Sequence, residues 1–132
     1  MREILRGAVL GFPVEHSLSP LLHREAYQFL GIEGRYTRQE LQLDSLHRFF
    51  TEHSDSFDYF SITMPLKEEA LSLPVAIDPI ASRIQSANTL YRRDEQWNLT
   101  STDGSGFVAA LKNHGALSFK NALVLGAGGT AR

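Results

Sequence analysis

Apolar runs of a few residues, closed by glycine, proline or a hydroxyl side chain, alternate along this chain with segments whose apolar residues recur at helical spacing. That alternation restricts the fold more than any other feature, because buried strands and one-sided helices taken in turn pack as helices on the faces of a largely parallel sheet. Gly7 to Phe12 reads as the first strand. Ser19 and Pro20 open a helix, serine as N-cap and proline as the first helical residue; Leu22, Ala26, Phe29 and Leu30 share one face, and Gly31 stops it. Tyr36 to Leu41 reads as a second strand, Asp44 as the cap of a helix bearing Leu46, Phe49 and Phe50, and Phe57 to Thr63 as a third strand.

Farther along, Pro65 is suited to start a short helix, Leu66 to Leu71, that Pro74 ends. Asn88 ends a short helical stretch and opens a hairpin, in which Asn88 to Tyr91 faces Trp97 to Thr100 across the charged turn at Asp94 and Glu95, so the sheet is expected to be mixed. Gly104 to Gly106 introduce a helix bearing Phe107, Val108 and Leu111. Asn121 to Leu125 reads as a last strand, running into Gly126-Ala127-Gly128-Gly129. The expected architecture is α/β: a central, mostly parallel but mixed sheet flanked by helices, plus an incomplete Rossmann strand and turn at the C-terminal end. The expected division is residues 1–103 as one domain and 104–132 as a linking helix with the start of a second.

A length of 132 residues suits about one domain. Thirteen basic against fifteen acidic side chains argue against a broad electrostatic grip on nucleic acid or anionic lipid, which leaves small molecules as the expected partners. With no cysteine there is no thiol nucleophile, disulfide framework or thiolate metal site. The apolar runs are short and the first six residues have no signal-type stretch, so a soluble, unexported, cytoplasmic protein is expected.

Polar clusters fall at the predicted strand ends. Gly11 to Pro20 lies between a strand end and a helix start, where open α/β sheets bind ligands; Ser17, Ser19 and the positive helix end suit a carboxylate. Considered alone, Ser19 reads first as a helix cap and Ser17 as a loop residue. Ser61 to Lys67 places the Thr63 hydroxyl and the Lys67 ammonium four residues apart, and lysine is a proton donor suited to a carbonyl oxygen, although a lone lysine is commonly just solvated. Asn88 and Asp103 follow, each with a structural alternative, as turn amide and as helix N-cap. Together these groups suit a cleft for a small polyhydroxylated acid. Gly126, Gly128 and Ala131 match the start of a Gly-x-Gly-x-x-Ala dinucleotide fingerprint after an apolar strand.

This ordered set resembles the N-terminal, substrate-binding part of the NADP-dependent shikimate dehydrogenases. The family's Gly-x-Pro-x-x-His-Ser-x-Ser-Pro matches Gly11 to Pro20, its Asn-Val-Thr-x-Pro-x-Lys corresponds to Ser61 to Lys67 with two changes, and its Asn-Thr pair matches Asn88 and Thr89. Its Asn-Thr-Asp-Gly matches Thr102, Asp103 and Gly104 after Ser101. The resemblance implies reversible NADP-dependent reduction of 3-dehydroshikimate to shikimate, in the route to chorismate and the aromatic amino acids. It implies that Ser17 and Ser19 bind the shikimate carboxylate and that Thr63, Asn88 and Asp103 hold the ring hydroxyls. Lys67 would handle the proton, with Asp103 beside it as the second catalytic residue, and Gly126, Ala127, Gly128 and Gly129 would belong to the NADP loop. Ser61 in place of asparagine, and Gln85-Ser86 where the family commonly has Gly-Ala, are departures to which no role is transferred. A quinate/shikimate dehydrogenase fragment and a non-catalytic small-acid binding module are the alternatives. Because the resembled enzyme continues for a whole Rossmann domain, the isolated chain is expected to bind shikimate weakly and to lack turnover. Residues 117–132 are expected to fray or to dock on another molecule, with self-association through the unpaired last strand.

Overall fold

The computed structural model describes residues 4–115, 118 and 120–131. Its centre is a six-stranded mixed sheet in the order β2-β1-β3-β5-β6-β4. The strands are β1 (Leu5–Gly11), β2 (Gly34–Glu40), β3 (Tyr59–Ile62), β4 (Ala76–Ile77), β5 (Thr89–Arg93) and β6 (Gln96–Thr100). Strand β1 runs parallel to both β2 and β3, β4 runs parallel to β6, and β5 is antiparallel to β3 and β6. The register sets Gly11 beside Glu40, Leu10 beside Ile62, Ser61 beside Thr89 and Thr89 beside Thr100. The ends of β1, β2, β3 and β6 and the start of β5 therefore share one edge of the sheet, and the loops that leave that edge carry the candidate site.

Each face of the sheet is built differently. On one, Ala8, Leu10, Phe60, Ile62, Leu90 and Leu99 are buried beneath α2 (Leu46–His53), a 3-10 turn at Glu69–Ser72 and α3 (Pro79–Ile84), forming an aliphatic and aromatic core. On the other, α1 (Ser19–Leu30) lies over Tyr36 and Tyr59. The side of α1 turned to the sheet is not the aliphatic one expected. His23 stacks on Tyr36 with ring centroids 3.7 Å apart and planes 8° from parallel, while the Tyr27 hydroxyl bonds that of Tyr59. Phe29 is left 90% exposed, and Leu22 and Leu30 are exposed too. The sheet explains the reversal: Gly7 leaves room for the Tyr36 and Tyr59 rings and Gly34 for the Tyr27 ring, so flat aromatic groups fill this layer.

Long-range partners replace two of the expected local signals. Asp44 does not cap α2; Ser45 is the N-cap residue and offers no side-chain bond, while the distant Glu69 carboxylate accepts the N–H groups of Asp44 (2.9 Å) and Leu46 (3.0 Å). Glu69→Ala should therefore lower unfolding free energy by ~1 kcal/mol, the usual worth of a helix N-cap, as measured by urea denaturation; an unchanged midpoint would contradict that role. The expected helix at Leu66 to Leu71 is instead a turn followed by the 3-10 segment. Lys67 gives its carbonyl to the Ala87 N–H (2.9 Å), so Leu71 bonds back only as far as Glu68 (3.2 Å) and the chain tightens.

The hairpin forms with Asp94 and Glu95 both at positive φ, and Gln85, where the family commonly has glycine, holds the left-handed position at φ 53°. Helix α4 spans Asp103–Asn113 and buries none of its residues; Phe107 and Val108 are exposed. The expected last strand is absent: residues 121–127 are irregular and Leu125 is 88% exposed. A strand exists only with a neighbour to share its hydrogen bonds, and no described strand runs beside this segment. Leu117 and Arg132, the bounds of the expected C-terminal tail, lie outside the described residues. No described helix is long and apolar enough to cross a membrane.

Candidate active site

The loop after β1 wraps the start of α1. Ser19 is the first helical residue and not its cap, since Leu18 occupies the N-cap position and its carbonyl accepts the Leu22 N–H. The orphan N–H of Ser19 is instead taken by the Ser17 hydroxyl oxygen at 3.2 Å. Arg38, at the end of β2, holds this loop down by donating from Nη2 (2.7 Å) and Nε (3.2 Å) to the Ser17 carbonyl. Gly11 is required by close approach: a Cβ there would lie 2.4 Å from the Thr63 methyl and 2.7 Å from the Met64 carbonyl oxygen. Ser17, Ser19, Ser61 and Thr63 converge on a depression of ≈ 290 Å³ beside His16. Hydroxyls line its walls and the start of α1 lies at its rim, a chemistry suited to an anion.

On the other side of Thr63 stands the charged cluster. Lys67 Nζ donates to Asp103 Oδ2 at 2.5 Å, and the Asn88 side-chain amide donates to Asp103 Oδ1 at 2.8 Å. Asn88 is itself fixed, since its side-chain oxygen accepts the Thr102 N–H (3.0 Å) and the Thr89 hydroxyl (2.8 Å). Asp103 is therefore not the cap of α4 but its first residue, its carboxylate committed to an ammonium and an amide; a charged partner outweighs an orphan backbone N–H. With their side chains 17% and 28% exposed, Lys67 and Asp103 are mostly withdrawn from water and still reachable.

Thr63 and Lys67 also line a cleft of ≈ 480 Å³ together with Gly126, Gly128, Gly129 and Thr130. Ala127 is not among its lining residues. The Thr130 hydroxyl accepts from Lys67 at 3.3 Å. Gly126 has φ 101°, a conformation open to glycine, and nothing stands where a Cβ on Gly126 or Gly128 would be. The backbone there is bare and open to the cleft.

Comparison with known proteins gives this geometry a context. The sequence profile of the shikimate dehydrogenase substrate binding domain matches residues 9–90. The chain belongs to that family. The NADP(+)-dependent shikimate dehydrogenase of Thermus thermophilus is 42% identical over 129 residues, covering 98% of this chain and 49% of that enzyme. The corresponding Exiguobacterium sibiricum enzyme is 37% identical and covers 97% of this chain and 49% of its own length. The crystal structure of the T. thermophilus shikimate 5-dehydrogenase in complex with shikimate matches with a TM-score of 0.90 at 42% identity, over 96% of this chain and 49% of that one. A second structure of that enzyme, with NADP(H) and shikimate, matches with a TM-score of 0.79 at 40% identity, over 84% and 42% of the two chains. The chain thus spans about half the length of these relatives.

All the residues proposed from sequence as substrate contacts fall at one edge of the sheet, in two groups: Ser17, Ser19 and Thr63 around the depression, and Lys67, Asn88 and Asp103 in the charged cluster. Thr63 is common to the depression and the cleft. Sequence reasoning missed Arg38 and Tyr36, which act through other residues and carry no motif. It left Ser61 without a role, although its alternation with buried Phe60 and Ile62 places it on the same face as Tyr59.

Proposed function

We propose that this chain is the substrate-holding part of a cytoplasmic NADP-dependent shikimate dehydrogenase, which interconverts 3-dehydroshikimate and shikimate. The observation that carries the reading is the Asn88–Asp103–Lys67 chain of hydrogen bonds standing across Thr63 from the serine-lined depression. An acid receptor at one end and a positioned ammonium at the other suit a small ring bearing a carboxylate and hydroxyls. Ser17 and Ser19 would hold the carboxylate, while Thr63, Asn88 and Asp103 would hold the ring hydroxyls.

NADP supplies the hydride chemistry when bound, and Gly126, Gly128 and Gly129 are the residues of this chain that would face its phosphates. Lys67 would give a proton to the C3 oxygen as that carbonyl becomes an alcohol, and take it back in the reverse direction. Asp103, oriented by Asn88, would aim the ammonium at that oxygen and fix the distance at which the proton moves.

Titrating shikimate into the chain while following amide NMR signals tests the reading. Saturable shifts at Ser17, Ser19, Thr63 and Asn88 are expected, with weaker binding of a cyclohexene carboxylate that lacks the ring hydroxyls. Absence of saturable binding at millimolar shikimate, or equal affinity for the two acids, would overturn it.

A further inference from the structure

Four hydroxyls face the depression, and the hydrogen bonds around them decide which way two of those hydroxyls can act. A serine hydroxyl has one proton to give and lone pairs with which to accept. The Ser17 oxygen accepts from the Ser19 N–H, and the Ser61 oxygen accepts from the Tyr36 phenol at 2.7 Å. No acceptor among the described residues takes the proton of either serine, and both side chains line the same small space. An incoming group at this end of the site therefore meets hydroxyls already supplied with a donor and left with a proton to offer. That polarity suits an anion and disfavours a donor.

Resting on the shikimate reading above, we propose that Ser61 is a further carboxylate-binding residue and that Tyr36 is its positioning residue, its phenol donating to the Ser61 oxygen and turning the Ser61 proton toward the ligand acid. The surroundings of Tyr36 are built for that task. Its ring is clamped by the stacked imidazole of His23 and rests over Gly7, where a Cβ would lie 2.7 Å from it. His23 is itself tied to the Ser19 carbonyl through Nδ1 at 2.8 Å, so the donor that aims Ser61 is braced by the first turn of the helix that carries Ser19. Burial pushes the Tyr36 phenol up from its ordinary range, so at neutral pH it keeps its proton and donates. A chain of bonds acting on a hydroxyl in this way strengthens the bond that the hydroxyl makes at its far end.

The inference is tested with Ser61→Ala, Tyr36→Phe and the double variant, by NMR titration of shikimate and of its methyl ester into each chain. Ser61→Ala should weaken shikimate binding by about 10- to 100-fold, the range for a hydrogen bond to a charged group, and should change methyl shikimate binding by less than about twofold. Tyr36→Phe should weaken shikimate binding in the presence of the Ser61 hydroxyl and should have no further effect in its absence, a coupling that general loosening of the fold would not produce. Thermal melting of the same samples confirms that each variant is folded. Shikimate affinity of Ser61→Ala within twofold of the parent chain would overturn the proposal, as would an equal Tyr36→Phe effect in both backgrounds. Failure of the parent chain itself to bind shikimate would overturn the proposal together with the functional reading, whereas parent binding with unchanged variants would remove the proposal alone.

Discussion

Lys67→Ala, in this chain joined to the NADP-binding half of the T. thermophilus enzyme, should lower kcat by ~10²- to 10⁴-fold, the usual contribution of a positioned proton donor. The same change should raise KM for shikimate by less than about tenfold, because most binding groups lie elsewhere and the effect belongs to the transition state. The structure supports this separation. Ser17, Ser19 and Thr63 surround their own depression, and Asn88 keeps its bonds to Thr89 and the Thr102 backbone when Lys67 is removed. Asp103 also keeps the Asn88 amide as a partner. Steady-state kinetics in both directions would check the expectation. A kcat within tenfold of the parent fusion would mean that the proton is handled by another group.

Phe60→Ala should lower the unfolding free energy by ~3–5 kcal/mol, the range for deleting a buried aromatic ring. Phe60 is fully buried in β3, stacked on Trp97 at 5.4 Å and in contact with Phe57 at 4.9 Å and Phe49 at 5.9 Å. Trp97 lies in β6, Phe49 in α2 and Phe57 in the segment that enters β3, so no single neighbour can move in to fill the gap. A domain of this size has ~5–15 kcal/mol of stability in all, so the variant should be partly unfolded near physiological temperature. Because Ser61 and Ile62 follow in the same strand, loss of shikimate binding should track loss of structure. Urea denaturation followed by tryptophan fluorescence would measure the change, and a loss below about 1 kcal/mol would contradict the description of this core.

What could be read from the sequence was local. The strand after Arg6, the helix closed by Gly31 and the loop from Gly11 to Pro20 each declare themselves through residues adjacent in the chain, and so do the polar groups gathered at strand ends. What could not be read depended on partners far away. The Glu69 carboxylate that caps the start of α2, and the Ala87 N–H that draws off the Lys67 carbonyl, act across more than ten residues and leave no periodic trace. Burial on α1 escapes the sequence for a related reason: aliphatic spacing names a face, but the sheet beneath is paved with tyrosines and selects His23 and Tyr27. The segment from Asn121 to Leu125 has a strand's composition without a strand's neighbour, and composition cannot supply one.

The crowding of Gly11 against Thr63 and the Met64 carbonyl has a consequence for what the site can admit. Thr63 stands as a doorpost between two chambers, and behind it lies a residue with no side chain to retreat or advance. The gap beside that post has no adjustable hinge on this side: an enlargement at Gly11 would drive the post inward and narrow both chambers together.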